Sequence, residues 1–136
     1  MKYTRSELRE KIMIILYQID FYKKGKMDYQ VDEVIKENID IENDFVKKIV
    51  YGVLDKENEI IELIENHLKN WSFKRLGSTD QAILKLSTYE LIYTDTPAIV
   101  SINEAVELAK KYSDEKVAPM INAVLDSVLN EENNEL

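Results

Sequence analysis

Basic and aromatic side chains recur every four residues near the start of the chain. The stripe consists of Arg5, Arg9, Met13 and Tyr17. Residues four apart lie on nearly the same side of an α-helix, so this stripe would be about 18 Å long, and Lys2 would extend it. Two guanidinium groups can bind phosphates or base edges, and a ring that follows them can stack on a base. The pattern therefore indicates a platform for single-stranded RNA.

The same stripe is also compatible with a structural role. Met13 and Tyr17 could belong to the core, and the arginines could pair with Glu10 and other acids. Two arginines on one helix are common, so the residues alone leave both interpretations open.

Groups suited to catalysis are scarce. The chain has no Cys, and its single His, His67, is placed near the end of a predicted helix. Thiolate zinc sites, cysteine nucleophiles and His-rich metal centres are therefore excluded. The three glycines lie far apart, which excludes a glycine-rich phosphate loop. We expect no enzyme activity, no metal site and no cofactor.

The length of 136 residues predicts one globular domain, which we place at residues 1–130, followed by a frayed acidic tail at 131–136. No apolar run approaches the roughly 18 residues that a membrane span needs, and the first residues do not resemble a signal peptide. The sequence therefore predicts a cytoplasmic protein with no membrane partner.

Charge is unevenly distributed along the chain. The net charge is -8, yet residues 1–26 carry seven basic and three acidic side chains, a local charge of +4. The other 110 residues must then carry -12. A basic end on an acidic body can offer a local phosphate-binding surface.

Only three glycines and two prolines are present, which favours an all-helical protein. Apolar residues at three- and four-residue spacing predict helices at 4–22, 29–38, 78–94 and 101–112, and a last helix whose first turn contains Pro119. Residues 41–68 form either two helices or one bent helix. Capping boxes are predicted at Thr4 with Glu7, Ser78 with Gln81, and Ser101 with Glu104.

Several segments in register resemble the transcription antitermination factors of the NusB family. They are Ser101–Tyr112, Ile121–Asp126, Trp71–Leu76, Asp80–Leu86, Tyr89–Leu91, Arg9–Glu10 and Leu16–Tyr17. The resemblance covers nearly the whole chain. It implies an all-α fold of about seven helices, with two packed three-helix subdomains and a seventh short helix, and no catalytic activity.

The resemblance also implies partners. Family members bind the boxA element of ribosomal RNA leader transcripts together with the NusE-type ribosomal protein of the small subunit. They do so within the RNA polymerase antitermination complex. Whether the free protein forms a homodimer is left open. The main alternative is an acidic helical adaptor that binds proteins and has little RNA affinity of its own.

From both lines of reasoning we predict two sets of site residues. The predicted RNA-binding residues are Lys2, Arg5, Arg9, Tyr17, Lys110 and Lys116. The predicted contacts with a basic ribosomal protein are Asp80, Tyr89 and Glu90.

The chain departs from the family pattern in two places. Ser6 and Glu7 dilute the arginine cluster, and Pro119 with Met120 stands where relatives present a basic and an aromatic residue. Lys110, Lys111 and Lys116 could replace some of the missing charge.

Overall fold

Seven α-helices make up the structure, a computed structural model that describes residues 2–134. They are α1 (Arg5–Lys24), α2 (Val31–Asn38), α3 (Asp44–Asp55), α4 (Glu57–His67), α5 (Ser78–Tyr93), α6 (Ala98–Tyr112) and α7 (Val117–Asn134). A 3-10 turn at Phe73–Arg75 precedes α5. No strand occurs in residues 2–134, so the all-α prediction is confirmed. No helix in this range is both long and apolar enough to span a membrane.

Helix α5 lies at the centre of the molecule. It packs against α1, α3, α4, α6 and α7. Every side chain from Asp80 to Glu90 is buried as a result. Helices α1–α3 pack together as one group and α5–α7 as a second, while α4 packs on α5 and α7. This is the predicted arrangement of two three-helix subdomains with a seventh helix.

The start of α1 follows the predicted capping box. The Thr4 hydroxyl accepts a hydrogen bond from the Glu7 backbone N–H at 3.0 Å, and the Glu7 carboxylate accepts one from the Thr4 N–H at 2.9 Å. Two N–H groups that have no partner within the helix are thereby satisfied. The capping box fixes where the basic end of the chain enters the first helix.

The second predicted capping box is wrong. Gly77, not Ser78, is the N-cap of α5, and no side chain caps this helix end. The Gln81 amide instead donates to the carbonyl oxygens of Phe73 at 3.1 Å and Leu76 at 2.9 Å. Gln81 is buried, so its amide satisfies the carbonyls of the preceding turn rather than the backbone of the helix start.

The third predicted capping box is also wrong, because α6 begins three residues earlier, at Ala98. Pro97 stands immediately before the helix, with a φ of -55°. Its fixed φ and missing N–H suit a helix start. Ser101 therefore lies inside α6, where it is buried.

The end of α7 lies beyond the predicted limit of folded structure. The helix runs to Asn134, so the predicted tail does not begin at residue 131. His67, at the end of α4, contacts the Ser127 hydroxyl at 2.6 Å and also pairs with Glu131. These contacts hold the last turns of α7 against α4. The predicted tail residues Glu135 and Leu136 lie outside the described range.

Candidate nucleic-acid interface

The predicted stripe on α1 separates into exposed and buried members. Arg5 and Tyr17 are exposed, Tyr17 by 41%, as is Lys2 just before the helix. Arg9 and Met13 are buried. The stripe thus reaches solvent at its two ends and enters the core in the middle.

Arg5 keeps its charge at the surface while packing on an aromatic ring. Its guanidinium carbon lies 4.0 Å from the centre of the Phe45 ring of α3. A cation over an aromatic face is attracted by the ring and loses conformational freedom. This contact holds an exposed guanidinium in place at the basic end of the chain.

Arg9 is 4% exposed and is bound by two carboxylates. Its Nε and Nη2 donate to Glu90 at 2.6 and 2.9 Å, and its Nη1 donates to Glu104 at 3.4 Å. Burial alone would lower the pKa of Arg9, but the hydrogen bonds and charge of Glu90, with Glu104, outweigh it and raise that pKa. The prediction that Arg9 contacts RNA is therefore corrected, because its donors are already used inside the protein.

The predicted partner contacts on α5 lie in the interior. Glu90 is 1% exposed and accepts the Arg9 bonds. Tyr89 is also buried: its ring packs against the backbone at Gly52 and stacks on Tyr93, with ring centres 5.2 Å apart. The prediction that Tyr89 and Glu90 dock a partner is corrected, because other helices surround α5 at these positions.

Asp80 differs from these two residues. It lies in the first turn of α5, where a carboxylate interacts favourably with the helix macrodipole. Its Oδ1 is buried without a hydrogen-bond partner among residues 2–134. The neighbouring Thr79 lines a depression of 270 Å³ between α1, α5 and α6, which also includes Tyr17 and Tyr112. Asp80 is next in sequence to a residue of this depression but does not itself line it.

The two predicted lysines beyond α5 are exposed. Lys110, in the last turn of α6, is 3.7 Å from Glu107 in a loose pair along the helix. Lys116 lies in the loop before α7, where its backbone N–H donates to Asp114 at 3.1 Å. Both ammonium groups remain accessible to an anion.

A cluster at the junction of α1 and α6 was not predicted. The Lys111 ammonium donates to both Glu10 carboxylate oxygens, at 3.1 and 3.0 Å, and the Tyr112 hydroxyl also donates to Glu10. The hydrogen bond from Tyr112, together with Lys111, lowers the pKa of Glu10 below its usual range. The same bond raises the pKa of Tyr112.

Comparison with known proteins decides the family. Residues 6–130 of the chain match the NusB family. The chain belongs to this family. The transcription antitermination protein NusB of Bacillus licheniformis is 42% identical over 127 residues, which span 91% of this chain and 95% of that protein.

Solved NusB structures share the fold. NusB from T. maritima matches with a TM-score of 0.83 and 29% identity, over 100% of both chains. A crystal structure of the antitermination factors NusB and NusE in complex with dsRNA matches with a TM-score of 0.80 and 29% identity. That match covers 93% of this chain and 96% of the solved chain.

Within this NusB-family fold, the sequence predicted the exposed members of the α1 stripe but not the cluster of Glu10, Lys111 and Tyr112. From the sequence, Lys111 is predicted only to replace some of the missing positive charge, and Tyr112 only to end a helix. Their adjacency as a basic and an aromatic residue was a signal in the sequence. The contact with Glu10 was not, because Glu10 and Lys111 are 101 positions apart.

Proposed function

We propose that this chain is a transcription antitermination factor. It binds the boxA element of ribosomal RNA leader transcripts together with the NusE-type ribosomal protein of the small subunit. The observation that carries the proposal is the match, over 93% of the chain, to the fold that a solved structure holds in complex with NusE and RNA. The proposed role involves no catalytic step and belongs in the cytoplasm, as part of the RNA polymerase antitermination complex.

The proposed RNA contacts are the exposed members of the predicted set. They are Lys2, Arg5, Tyr17, Lys110 and Lys116. The four cations would pair with backbone phosphates, and the half-exposed ring of Tyr17 would stack on an unpaired base. The local charge of +4 over residues 1–26 supports binding at this end of an otherwise acidic protein.

The proposed partner contact is Asp80. A NusE-type ribosomal protein is expected to be basic, and a carboxylate in the first turn of α5 attracts a Lys or Arg side chain by its charge, although Asp80 is only 8% exposed and its unpaired Oδ1 is buried. The neighbouring depression, with Tyr17 at its edge, supports an interface in which protein and RNA meet. In Asp80→Asn the charge is removed at nearly constant volume, so we expect calorimetry to show weaker binding of the ribosomal protein and only a small drop in melting temperature from the lost interaction with the helix macrodipole.

The proposal is tested by titrating boxA-type RNA into the protein with and without the NusE-type ribosomal protein. A scrambled RNA of the same composition is the control. We expect boxA RNA to bind more tightly than the control, and more tightly still when the partner is present, because two ligands that favour the same complex support each other. If no RNA binds in either case while the ribosomal protein does, the adaptor function is correct and this proposal is wrong.

A further inference from the structure

The carboxylate of Glu10 occupies a site built from a cation and a hydroxyl. Lys111 and Tyr112, the last two residues of α6, both direct hydrogen-bond donors at it from the neighbouring helix. The Lys111 ammonium also lies 5.4 Å from the centre of the Tyr112 ring. The cluster therefore combines a positive charge, a hydroxyl donor and an aromatic face in two adjacent residues.

A backbone phosphate could use the same donors. Phosphate oxygens, like carboxylate oxygens, accept charge-assisted hydrogen bonds from ammonium and hydroxyl groups. The Lys111 side chain is 61% exposed and that of Glu10 is 28% exposed, so an outside anion can reach the pair. Ion pairs with this much exposure contribute little to stability, which makes displacement of Glu10 inexpensive.

The position of the cluster connects it to the proposed RNA contacts. Glu10 and Lys111 both border two grooves, one of 560 Å³, which also includes Glu104 and Glu107, and a smaller one of 210 Å³, which includes Tyr3 and Lys11. Tyr112 lines the depression that contains Tyr17. An RNA strand that follows α1 from Lys11 to Tyr17 would pass the cluster.

We propose that Lys111 and Tyr112 form a further phosphate-binding site for RNA, and that Glu10 is an internal competitor which the phosphate displaces. This inference rests on the proposed RNA-binding function. The pair would supply the basic and aromatic combination that Pro119 and Met120 do not provide at the start of α7.

The deciding variant is Glu10→Gln, which removes the competing charge and keeps the size of the side chain. We expect it to bind boxA-type RNA about threefold more tightly, the scale of an exposed ion pair. Because Lys111 binds the phosphate in both proteins and only the cost of displacing Glu10 is removed, the dependence of log K on log salt should stay nearly the same. If Glu10 only ties α1 to α6, the variant would bind RNA as the unmodified protein does.

Two matched controls isolate the contact. Glu115→Gln removes one exposed negative charge in the loop before α7, and no residue in 2–134 forms a salt bridge with it. It reports the effect of net charge alone. Lys111→Ala removes the ammonium. In the Lys111→Ala background, Glu10→Gln should increase RNA affinity by no more than Glu115→Gln does.

The outcomes separate this inference from the proposed function. In one outcome the unmodified protein binds RNA and Arg5→Ala weakens that binding, so the proposed function stands. If Glu10→Gln then binds RNA no more tightly than Glu115→Gln does, or more weakly than the unmodified protein, the inference is wrong. If the Lys111→Ala background leaves the gain intact, the inference is also wrong. If RNA does not bind with or without the ribosomal protein, the proposed function fails and the inference fails with it.

Discussion

Arg9 and Glu90 form a bidentate ion pair between α1 and α5, although 81 positions separate them in the chain. Each of the two side chains is at most 5% exposed. Two parallel bonds fix the planar guanidinium against the carboxylate and so set the rotation of α1 on the central helix. The pair therefore contributes, together with the buried apolar side chains of α1, to the orientation of this helix on α5.

Breaking this pair should destabilise the protein strongly. Arg9→Met leaves the Glu90 charge buried and uncompensated, so we expect the free energy of unfolding in urea to fall by about 3–5 kcal/mol. Lys36→Met, at an exposed pair with Glu33, is the control and should change it by less than about 0.5 kcal/mol. The double variant with Glu90→Leu should recover part of the loss. Equal free energies of unfolding for Arg9→Met and Lys36→Met would show that the buried pair does not stabilise the fold.

Gly52 should not tolerate even one added methyl group. A Cβ at this position would overlap the Tyr89 ring, which is fixed by its stacking on Tyr93. We expect Gly52→Ala to lower the free energy of unfolding by about 1–3 kcal/mol through overpacking. Gly25→Ala is the control, since its Cβ would meet the flexible Met27 side chain no closer than 3.3 Å. A melting temperature equal to that of the unmodified protein would contradict this expectation.

The contact of Glu10 with Tyr112 and Lys111 should make stability depend on pH. A carboxyl whose pKa is lower in the folded than in the unfolded chain stabilises the fold above the unfolded pKa. That stabilisation is lost as the pH falls through the folded pKa. The free energies of unfolding of the unmodified protein and of Glu10→Gln should therefore differ more at pH 6 than at pH 3. A difference that is equal at both values, or larger at pH 3, would refute the lowered pKa.

Arg5 should contribute to RNA binding through its charge. Arg5→Ala removes one phosphate contact, so RNA affinity should fall and the salt dependence of log K should become shallower by about 0.7. Lys36→Ala on α2 removes an exposed cation from another helix and should leave the slope unchanged. Fluorescence anisotropy at several salt concentrations measures both quantities. Identical slopes for the two variants would place the phosphate contacts elsewhere.

Tyr17 should contribute through its ring rather than through stability. If it stacks on a base, Tyr17→Ala should weaken RNA binding by about 1–3 kcal/mol while the melting temperature changes little. Tyr51→Ala, on α3, removes a ring of similar exposure (44%) and serves as the control. A large drop in melting temperature with unaltered RNA affinity would assign Tyr17 to the core.

The sequence predicted where the helices lie but not whether their polar residues are buried or exposed. Leu8, Ile12, Leu16 and Ile19 are apolar at helical spacing, and all four are buried on α1 as the spacing predicts. Lys85 and Glu90 on α5 are charged residues of types that are rarely buried, yet both are buried. Their partners, Glu57 and Arg9, come from distant segments, so no local pattern could reveal them.

The same limit explains the errors at the interface. Arg5 and Arg9 are alike in the sequence, and only the packing of α5 and α6 against α1 distinguishes a free guanidinium from an occupied one. Local chemistry predicted the capping box of Thr4 with Glu7 correctly, but the same three-residue spacing failed at Ser78 with Gln81 and at Ser101 with Glu104. Apart from these two capping boxes, the site predictions that required correction were those in which packing against another helix decided the outcome.

The central position of α5 affects how the chain folds during synthesis. The first three helices bury their apolar faces partly on α5, and α5 ends at Tyr93. A nascent chain that has released only residues 1–55 lacks this surface, so α1–α3 have an incomplete core until α5 follows. We expect the amino-terminal helices to remain open on the ribosome, and accessible to chaperones, until about two thirds of the protein has emerged.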